Sequence, residues 1–248
     1  MLLTIDIGNT NISLGLFKHN HLVRRYFILT RTKNFILLFK KIFLKNNIDD
    51  VIICSVVPEV ARQLEQVIRK LLGKQPYVLG KNIKVPIKNL YKNPHQVGQD
   101  RLVAGFAAAK IYGTPVIVLD FGTATTLDIV SRKQEYLGGI IIPGIGMSLE
   151  ALHEKTALLP KVKLVEPQSI IGRTTQESIL SGIFFGFGYL ADALVTQVSA
   201  QLKQKCLVVL TGGFSKHIAE YIHKKNIIEQ DLIFIGLQLI YCLNKQKK

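Results

Sequence analysis

The apolar positions of this chain fall into two rhythms that alternate along its length. Three short runs come first, Leu2 to Ile5, Ile12 to Phe17 and Leu22 to Leu29, and their length and β-branched content predict strands. Asn34 to Lys45 then carries apolar residues at helical spacing, with Lys33, Lys40, Lys41 and Lys45 giving the stretch a basic outer face. Val51 to Val57 is β-branched and predicts a buried strand, and Pro58 suits the first turn of a helix that runs to Leu72 and is closed by Gly73. Tyr77 to Leu79 predicts one more short strand. Strands and helices interleaved in this way predict an α/β domain with a mixed sheet.

Asn82 to Gly98 has two prolines, Pro86 and Pro94, and no period, so it predicts a loop, and long irregular loops in compact domains tend to be functional. From Asp100 the pattern turns helical through Ala109, until Gly113-Thr114-Pro115 breaks it. The same alternation then restarts. Val116 to Leu119, Leu127 to Val130 and Tyr136 to Ile142 predict strands, and a helix is expected from Gly144 to about His153. Glu177 to Gln201 predicts a long helix with glycines at 182, 186 and 188. Leu207 to Leu210 predicts a buried strand, Phe214 to Lys224 a helix, and Leu232 to Ile235 a final strand before a terminal helix. The expected division is residues 1–113 and 114–248, two α/β halves.

One polar motif occurs at the same place in each half. Asp6-Ile7-Gly8-Asn9-Thr10-Asn11 follows the first strand, and Asp120-Phe121-Gly122-Thr123-Ala124-Thr125-Thr126 follows the strand from Val116. Glycine after a strand-end aspartate lets the backbone turn tightly and approach a bound group, while hydroxyl and amide side chains supply hydrogen bonds. Backbone N–H groups in such a turn can cradle phosphate, and the aspartate can hold a cation beside it. One copy alone would equally be an ordinary β-hairpin. Two copies, each opening a half, read as phosphate-facing hairpins of a duplicated fold.

Composition narrows the partners. The 248 residues are 48% hydrophobic and 20% charged, which is globular composition with room for a proper core. A net charge of +15 and a pI near 9.7 raise the question of nucleic acid. The basic clusters are modest, the second being Lys245, Lys247 and Lys248, and no stretch interleaves aromatics with basic residues as single-strand binders do, so nucleic acid is not the expected partner, and a positive field would in any case draw in ATP and an anionic substrate. Cys54, Cys206 and Cys242 are too few and too far apart for a metal site or a disulfide framework, and they are expected as buried core residues of a reducing compartment. The chain opens on a strand, and its longest uncharged stretch, Ser178 to Ala191, is shorter than a membrane span. A cytoplasmic protein with no membrane segment is the expectation.

Several other positions carry two readings. Asp100, beside Arg101 at a helix start, suits either an N-cap or phosphoryl transfer, in which a carboxylate takes a hydroxyl proton and a guanidinium steadies anionic oxygens. Gly138-Gly139 with Pro143-Gly144 allows close backbone approach to a ligand, or a strand end and a turn. Thr211-Gly212-Gly213 would let a flat base lie against backbone, or simply join a strand to a helix, and Thr174 or Thr175 could cap the long helix. No histidine pair has metal-ligand spacing, and His95 reads as a surface residue. No Gly-X-X-X-X-Gly-Lys-Ser/Thr or Gly-X-Gly-X-X-Gly follows a strand, so P-loop and Rossmann readings lack support.

In order, Asp6-Ile7-Gly8-Asn9-Thr10, Tyr91-X-X-Pro94, Gly98-X-Asp100-Arg101, Asp120 to Thr126, Gly138-Gly139-X-X-X-Pro143-Gly144, Thr175 and Thr211-Gly212-Gly213 resemble the type III pantothenate kinases across essentially the whole chain. The resemblance implies the acetate kinase, sugar kinase, Hsp70 and actin superfamily: two RNase H-like halves, each a mixed sheet with flanking helices, closing on ATP. It implies transfer of the ATP γ-phosphate to the terminal hydroxyl of pantothenate, the first committed step towards coenzyme A. Carried over, Asp6, Ile7, Gly8, Asn9, Thr10, Asn11, Ile12 and Ser13 form the first phosphate loop, with Asp6 near Mg²⁺, and Thr123 contacts ATP. Asp100 is the general base, and Tyr91, Gly98, Gln99, Asp100, Arg101 and Thr175 hold pantothenate. Asp120 binds a monovalent cation, K⁺ or NH₄⁺, and the family is dimeric. Thr174 stands where the family commonly has asparagine. The competing expectation is a non-catalytic regulatory relative that binds nucleotide or nucleic acid. Against it, such a relic would have no need to keep Asp6, Asp100, Arg101 and Asp120 together.

Overall fold

A computed structural model describes residues 1–246; Lys247 and Lys248, part of the expected basic terminal cluster, lie outside the described residues. The chain divides into two compact units, one of Met1–Ala107 together with the segment from Asp231, the other of Ala108–Gln230.

The first unit opens with an antiparallel meander, β1 (Leu2–Ile7), β2 (Asn11–Lys18) and β3 (His21–Leu29), followed by α1 (Phe35–Leu44), β4 (Asp50–Ser55), α2 (Pro58–Leu72) and the short β5 (Tyr77–Val78) and β6 (Lys88–Asn89). The sheet order is β3-β2-β1-β4-β5, with β4 parallel to β1 and β5 parallel to β4. Leu3, Ile5 and Ile7 face a core shared with Phe35, Phe39 and Phe43 of α1 and Leu64 and Ile68 of α2. Because side chains alternate along a strand, Leu2, Thr4 and Asp6 face the other way. On that side an added Cβ at Gly15 would stand 2.9 Å from Phe234 of the terminal helix.

The helix α3 (Gln99–Tyr112) leads into the second unit, which contains β7 (Val116–Phe121), β8 (Ala124–Val130), β9 (Glu135–Pro143), α4 (Ile145–Glu154), α5 (Thr175–Leu202), β10 (Leu207–Thr211), α6 (Ser215–Ala219) and β11 (Ile227–Ile228). Its strands run β9-β8-β7-β10-β11, again an antiparallel meander followed by two parallel neighbours. The two sheets therefore share one plan, and each places an Asp-X-Gly hairpin between its first two strands. The duplicated α/β architecture expected from the repeated motif is present.

Four expectations change. Leu232 to Ile235 is not a strand but the first turn of α7 (Leu232–Lys245), which packs on β1, β2 and β4 and so joins the first unit, whereas the sequence division at Gly113 left it in the second half. Four apolar residues fit either period, and here the face formed by Leu232, Phe234, Gly236, Leu237 and Ile240 decides for the helix. The helix expected from Phe214 to Lys224 stops at Ala219 because the His223 and Lys224 N–H groups donate instead to the Asp192 carboxylate, each at 2.9 Å. Cys242 is only half-buried, unlike Cys54 and Cys206, and all three thiols are free. Finally, α5 outruns the uncharged stretch within it and is long and apolar enough to cross a membrane by length and composition, but Leu180, Ile183, Phe184, Phe187, Ala191 and Val195 from it are buried in the second unit's own core.

Candidate active site

The first loop is a tight β1–β2 turn closed by the Gly8 N–H donating to the Asn11 carbonyl at 2.9 Å. The end of β3 braces it. The Thr30 hydroxyl donates to the Gly8 carbonyl at 2.8 Å, and the Thr30 N–H donates to the Thr10 carbonyl at 2.9 Å. Asn9, Thr10 and Asn11 stay exposed at the tip, free of the packing that fixes Ile7 and Ile12 below them. On the other side, the Val56 N–H donates to the Ile7 carbonyl at 3.0 Å and carries the β4–α2 connection against the loop.

Asp6 lies at the base of this turn, half-buried, in register with Ser13 on β2 and Cys54 on β4. Asp100 comes to the same place from the start of α3. Burial pushes the Cys54 thiol well up from its usual range, and the nearby Asp6 and Asp100 carboxylates push it further, so both charges lie close to this one sulfur. Asp100 is itself pushed up by burial, against the lowering effect of hydrogen bonding and charge from Arg101. A carboxylate that is costly to leave charged is a stronger base than an exposed aspartate.

The choice between cap and base at Asp100 is partly resolved by position. The helix begins at Gln99, so Asp100 lies inside the first turn, and its Oδ1 accepts from the Arg101 N–H at 2.9 Å. Gly98 is needed for contact: an added Cβ would overlap Oδ1 of Asp100 and stand 3.6 Å from Val56. Gln99 turns its side chain towards Gly80, where an added Cβ would meet its Cδ at 3.4 Å. Tyr91 is half-buried on the loop before the 3₁₀ turn Pro94–Gln96, its N–H donating to the Asn89 side chain at 3.0 Å. His95 is exposed, as expected.

The second loop is supported differently. Asp120 registers with Thr126 on β8 and with Thr211 on β10, and its carboxylate is flanked by glycines. Gly122 would bring a Cβ to 3.2 Å from Asp120 Oδ1; Gly212, at a φ of +87°, would drive one into the same oxygen and to 2.6 Å from the Phe121 carbonyl carbon. Gly144 presses the start of α4 onto the loop backbone, where a Cβ would overlap the Thr123 carbonyl oxygen and lie 2.8 Å from that of Gly122. The close approaches at Gly144 and Gly212 are thus to the loop itself, whereas Gly213 has open space beside it. Gly138, at a φ of +127°, sits at the irregularity in the β8–β9 register, a strand feature. Thr123 is exposed at the loop tip.

Thr175 is the exposed first residue of α5, and Thr174 is its N-cap, the hydroxyl accepting from the Glu177 N–H at 3.2 Å. The contacts described gather Asp6, Gly98 and Asp100 in the first unit and Asp120, Gly122 and Thr123 in the second; no described contact ties Tyr91 or Thr175 to the group in its own unit. Sequence reasoning missed Thr30, Cys54 and Val56. Their places depend on which strand neighbours which, and no local motif marks them.

The sequence profile of the type III pantothenate kinases matches residues 2–197. A type III pantothenate kinase of Finegoldia magna is 40% identical over 257 aligned positions, covering 99% of this chain and 98% of the relative, and one of Halalkalibacterium halodurans is 37% identical, covering 98% and 100%. The chain belongs to the type III pantothenate kinase family. Among solved structures, a Campylobacter jejuni protein provisionally described as a conserved Baf family transcriptional activator is similar with a TM-score of 0.63 at 22% identity, covering 98% of this chain and 99% of that one. MreB 5 of Spiroplasma citri, bound to AMPPNP, is similar with a TM-score of 0.53 at 12% identity, covering 99% and 97%. These likenesses show the fold, the duplicated α/β architecture with two equivalent sheets. Thr174 fills a capping role that an asparagine could also fill, since both side chains accept from the first free N–H groups of a helix.

Proposed function

We propose that the protein transfers the γ-phosphate of ATP to the terminal hydroxyl of pantothenate, giving 4'-phosphopantothenate and ADP, the first step of coenzyme A synthesis. The observation that carries this reading is the Asp6 loop lying beside a buried, unusually basic Asp100 in a chain of this family. Asp100 takes the hydroxyl proton as the phosphoryl group moves, and Arg101, one residue on, steadies acceptor or phosphoryl oxygens. Tyr91, Gly98 and Gln99, in the same unit, would complete the acceptor site. Each loop offers backbone N–H groups and small polar side chains suited to phosphate oxygens, Asp6 to Ser13 from one and Thr123 from the other.

Among the described residues no three His, Cys, Asp or Glu side chains gather into a metal cage. Mg²⁺ is commonly held by one or two carboxylates together with phosphates and water, and Asp6 is the carboxylate that would hold it. When bound, Mg²⁺ offsets phosphate charge. Asp120, at the corresponding place on the second loop, is the carboxylate that would hold K⁺ or NH₄⁺.

A homodimer fits the open face of α5, where Gly182 and Gly186 have nothing within 4 Å of an added Cβ and Tyr189 and Leu190 are exposed. Free thiols and an ATP-dependent reaction fit a cytoplasmic location. The test is ADP release by the purified protein with ATP, Mg²⁺ and pantothenate, with and without K⁺ or NH₄⁺. Turnover that needs pantothenate and a monovalent cation is expected. Bound ATP without turnover under any of these conditions would favour a regulatory relative or another acceptor.

A further inference from the structure

Cys54 read, from sequence, as an inert core residue. In the structure it is fully buried on β4, in register with Asp6 on β1, so the two side chains leave the same face of the sheet side by side. Its neighbours fix that placement. Val56 is tied to Ile7 through its N–H at 3.0 Å, and the Ser55 hydroxyl accepts from the Val57 N–H at 3.0 Å, so the end of β4 has little freedom to move away from the loop.

The second unit repeats the arrangement with different chemistry. There the strand parallel to the loop strand is β10, and Asp120 registers with Thr211, which is 2% exposed. At the same position in both sheets, the loop aspartate is accompanied by a small, buried side chain able to donate one hydrogen bond, a thiol in one and a hydroxyl in the other. A packing residue alone would not need a donor in either place.

We propose that Cys54 is a positioning residue for the first phosphate loop: its S–H donates to the Asp6 carboxylate and fixes the direction in which that carboxylate faces magnesium–ATP. This rests on the phosphotransfer reading of the site. A thiol is ordinarily protonated near neutral pH, and only the protonated form can donate. It is neither a nucleophile nor a redox group.

The test compares the wild type with Cys54→Ser, which keeps a donor, Cys54→Val, which replaces it with apolar bulk, and Cys54→Ala, which removes it without crowding should the valine variant fold poorly. Magnesium–ATP affinity by titration calorimetry is the first readout, because it needs no turnover and so tests the contact even if pantothenate proves to be the wrong acceptor. The valine and alanine variants are expected to bind magnesium–ATP about tenfold more weakly, the size of one lost hydrogen bond to a charged group, with the serine variant within about threefold of wild type. In an Asp6→Asn background, Cys54→Val should add less than about twofold, since the thiol acts through that carboxylate. The KM for pantothenate should not move. Wild-type affinity in the valine and alanine variants would overturn the proposal. So would a serine variant as weak as they are, or losses that simply multiply in the double variant.

Discussion

The two Asp-X-Gly loops share a motif and a position in equivalent sheets, yet the balance of what holds them differs. The first is braced mainly by hydrogen bonds, from Thr30 to Gly8 and Thr10 and from Val56 to Ile7. The second has one bond of that kind, the Phe214 N–H donating to the Phe121 carbonyl at 3.2 Å, and is otherwise braced by contact, with Gly144 and Gly212 pressing backbone and carboxylate so closely that a methyl group on either would overlap its neighbours. Hydrogen bonds tolerate small shifts of the partner, whereas close-packed backbone does not. The first loop is therefore suited to small adjustments beside Asp100, and the second to hold a fixed shape around Asp120.

The largest effect that would sharpen this contrast is at Asp100. Asp100→Asn removes the base and is expected to lower kcat about 10²- to 10⁴-fold while ATP affinity stays close to wild type. Equal losses in both would make Asp100 a structural residue of the helix start and erase the division of labour. The same carboxyl sets a pH dependence. Because burial raises its pKa, it becomes protonated, and so useless as a base, at a higher pH than an ordinary aspartate. The acid limb of kcat/KM for pantothenate should therefore lie above the ordinary aspartate range and vanish in Asp100→Asn. A limb at the ordinary value would place the carboxylate in water.

Next in size is a matched pair of single methyl groups. Gly144 has a φ of −74°, which any residue adopts, so Gly144→Ala is a purely steric test. Its Cβ meets main-chain oxygens that cannot move without moving the loop, and a loss of about 1–3 kcal/mol is expected together with weakened ATP binding. At Gly8 the same methyl group comes no nearer than 3.3 Å to the Asn11 carbonyl, and Gly8→Ala should cost less than about 1 kcal/mol. Chemical denaturation of both variants measures the difference. Equal costs would mean that the two loops are packed alike.

Much of this was legible in the chain. Both hairpins, the α2 start at Pro58 and its Gly73 end, and the paired Asp motifs follow from local rules of turn, cap and alternation. What was not legible depends on partners distant in sequence. Cys54 becomes a neighbour of Asp6 only once β4 pairs in parallel with β1, and Asp192 stops the helix after β10 from about thirty residues upstream. The terminal run from Leu232 looked like a strand because its apolar face is completed only at Gly236, Leu237 and Ile240, where Gly236 lets the helix come within 3.0 Å of the Ala107 Cβ as measured from an added methyl group. The raised basicity of Asp100 likewise needed burial, which no motif reports.

The smallest predicted effect tests the hydrogen-bonded side of the comparison. Thr30→Val keeps the shape and the backbone N–H bond to Thr10 but deletes the hydroxyl that donates to the Gly8 carbonyl. That carbonyl lies at the half-buried edge of the turn, where water can replace part of what is lost, so the cost to stability is expected at about 0.5–1.5 kcal/mol. The loop's freedom should increase more than its stability falls. KM for ATP is then expected to rise about two- to fivefold with little change in KM for pantothenate, because the loosened residues are those offered to phosphate. An unchanged KM for ATP would show that the first loop, like the second, is held by its packing and that Thr30 merely decorates it.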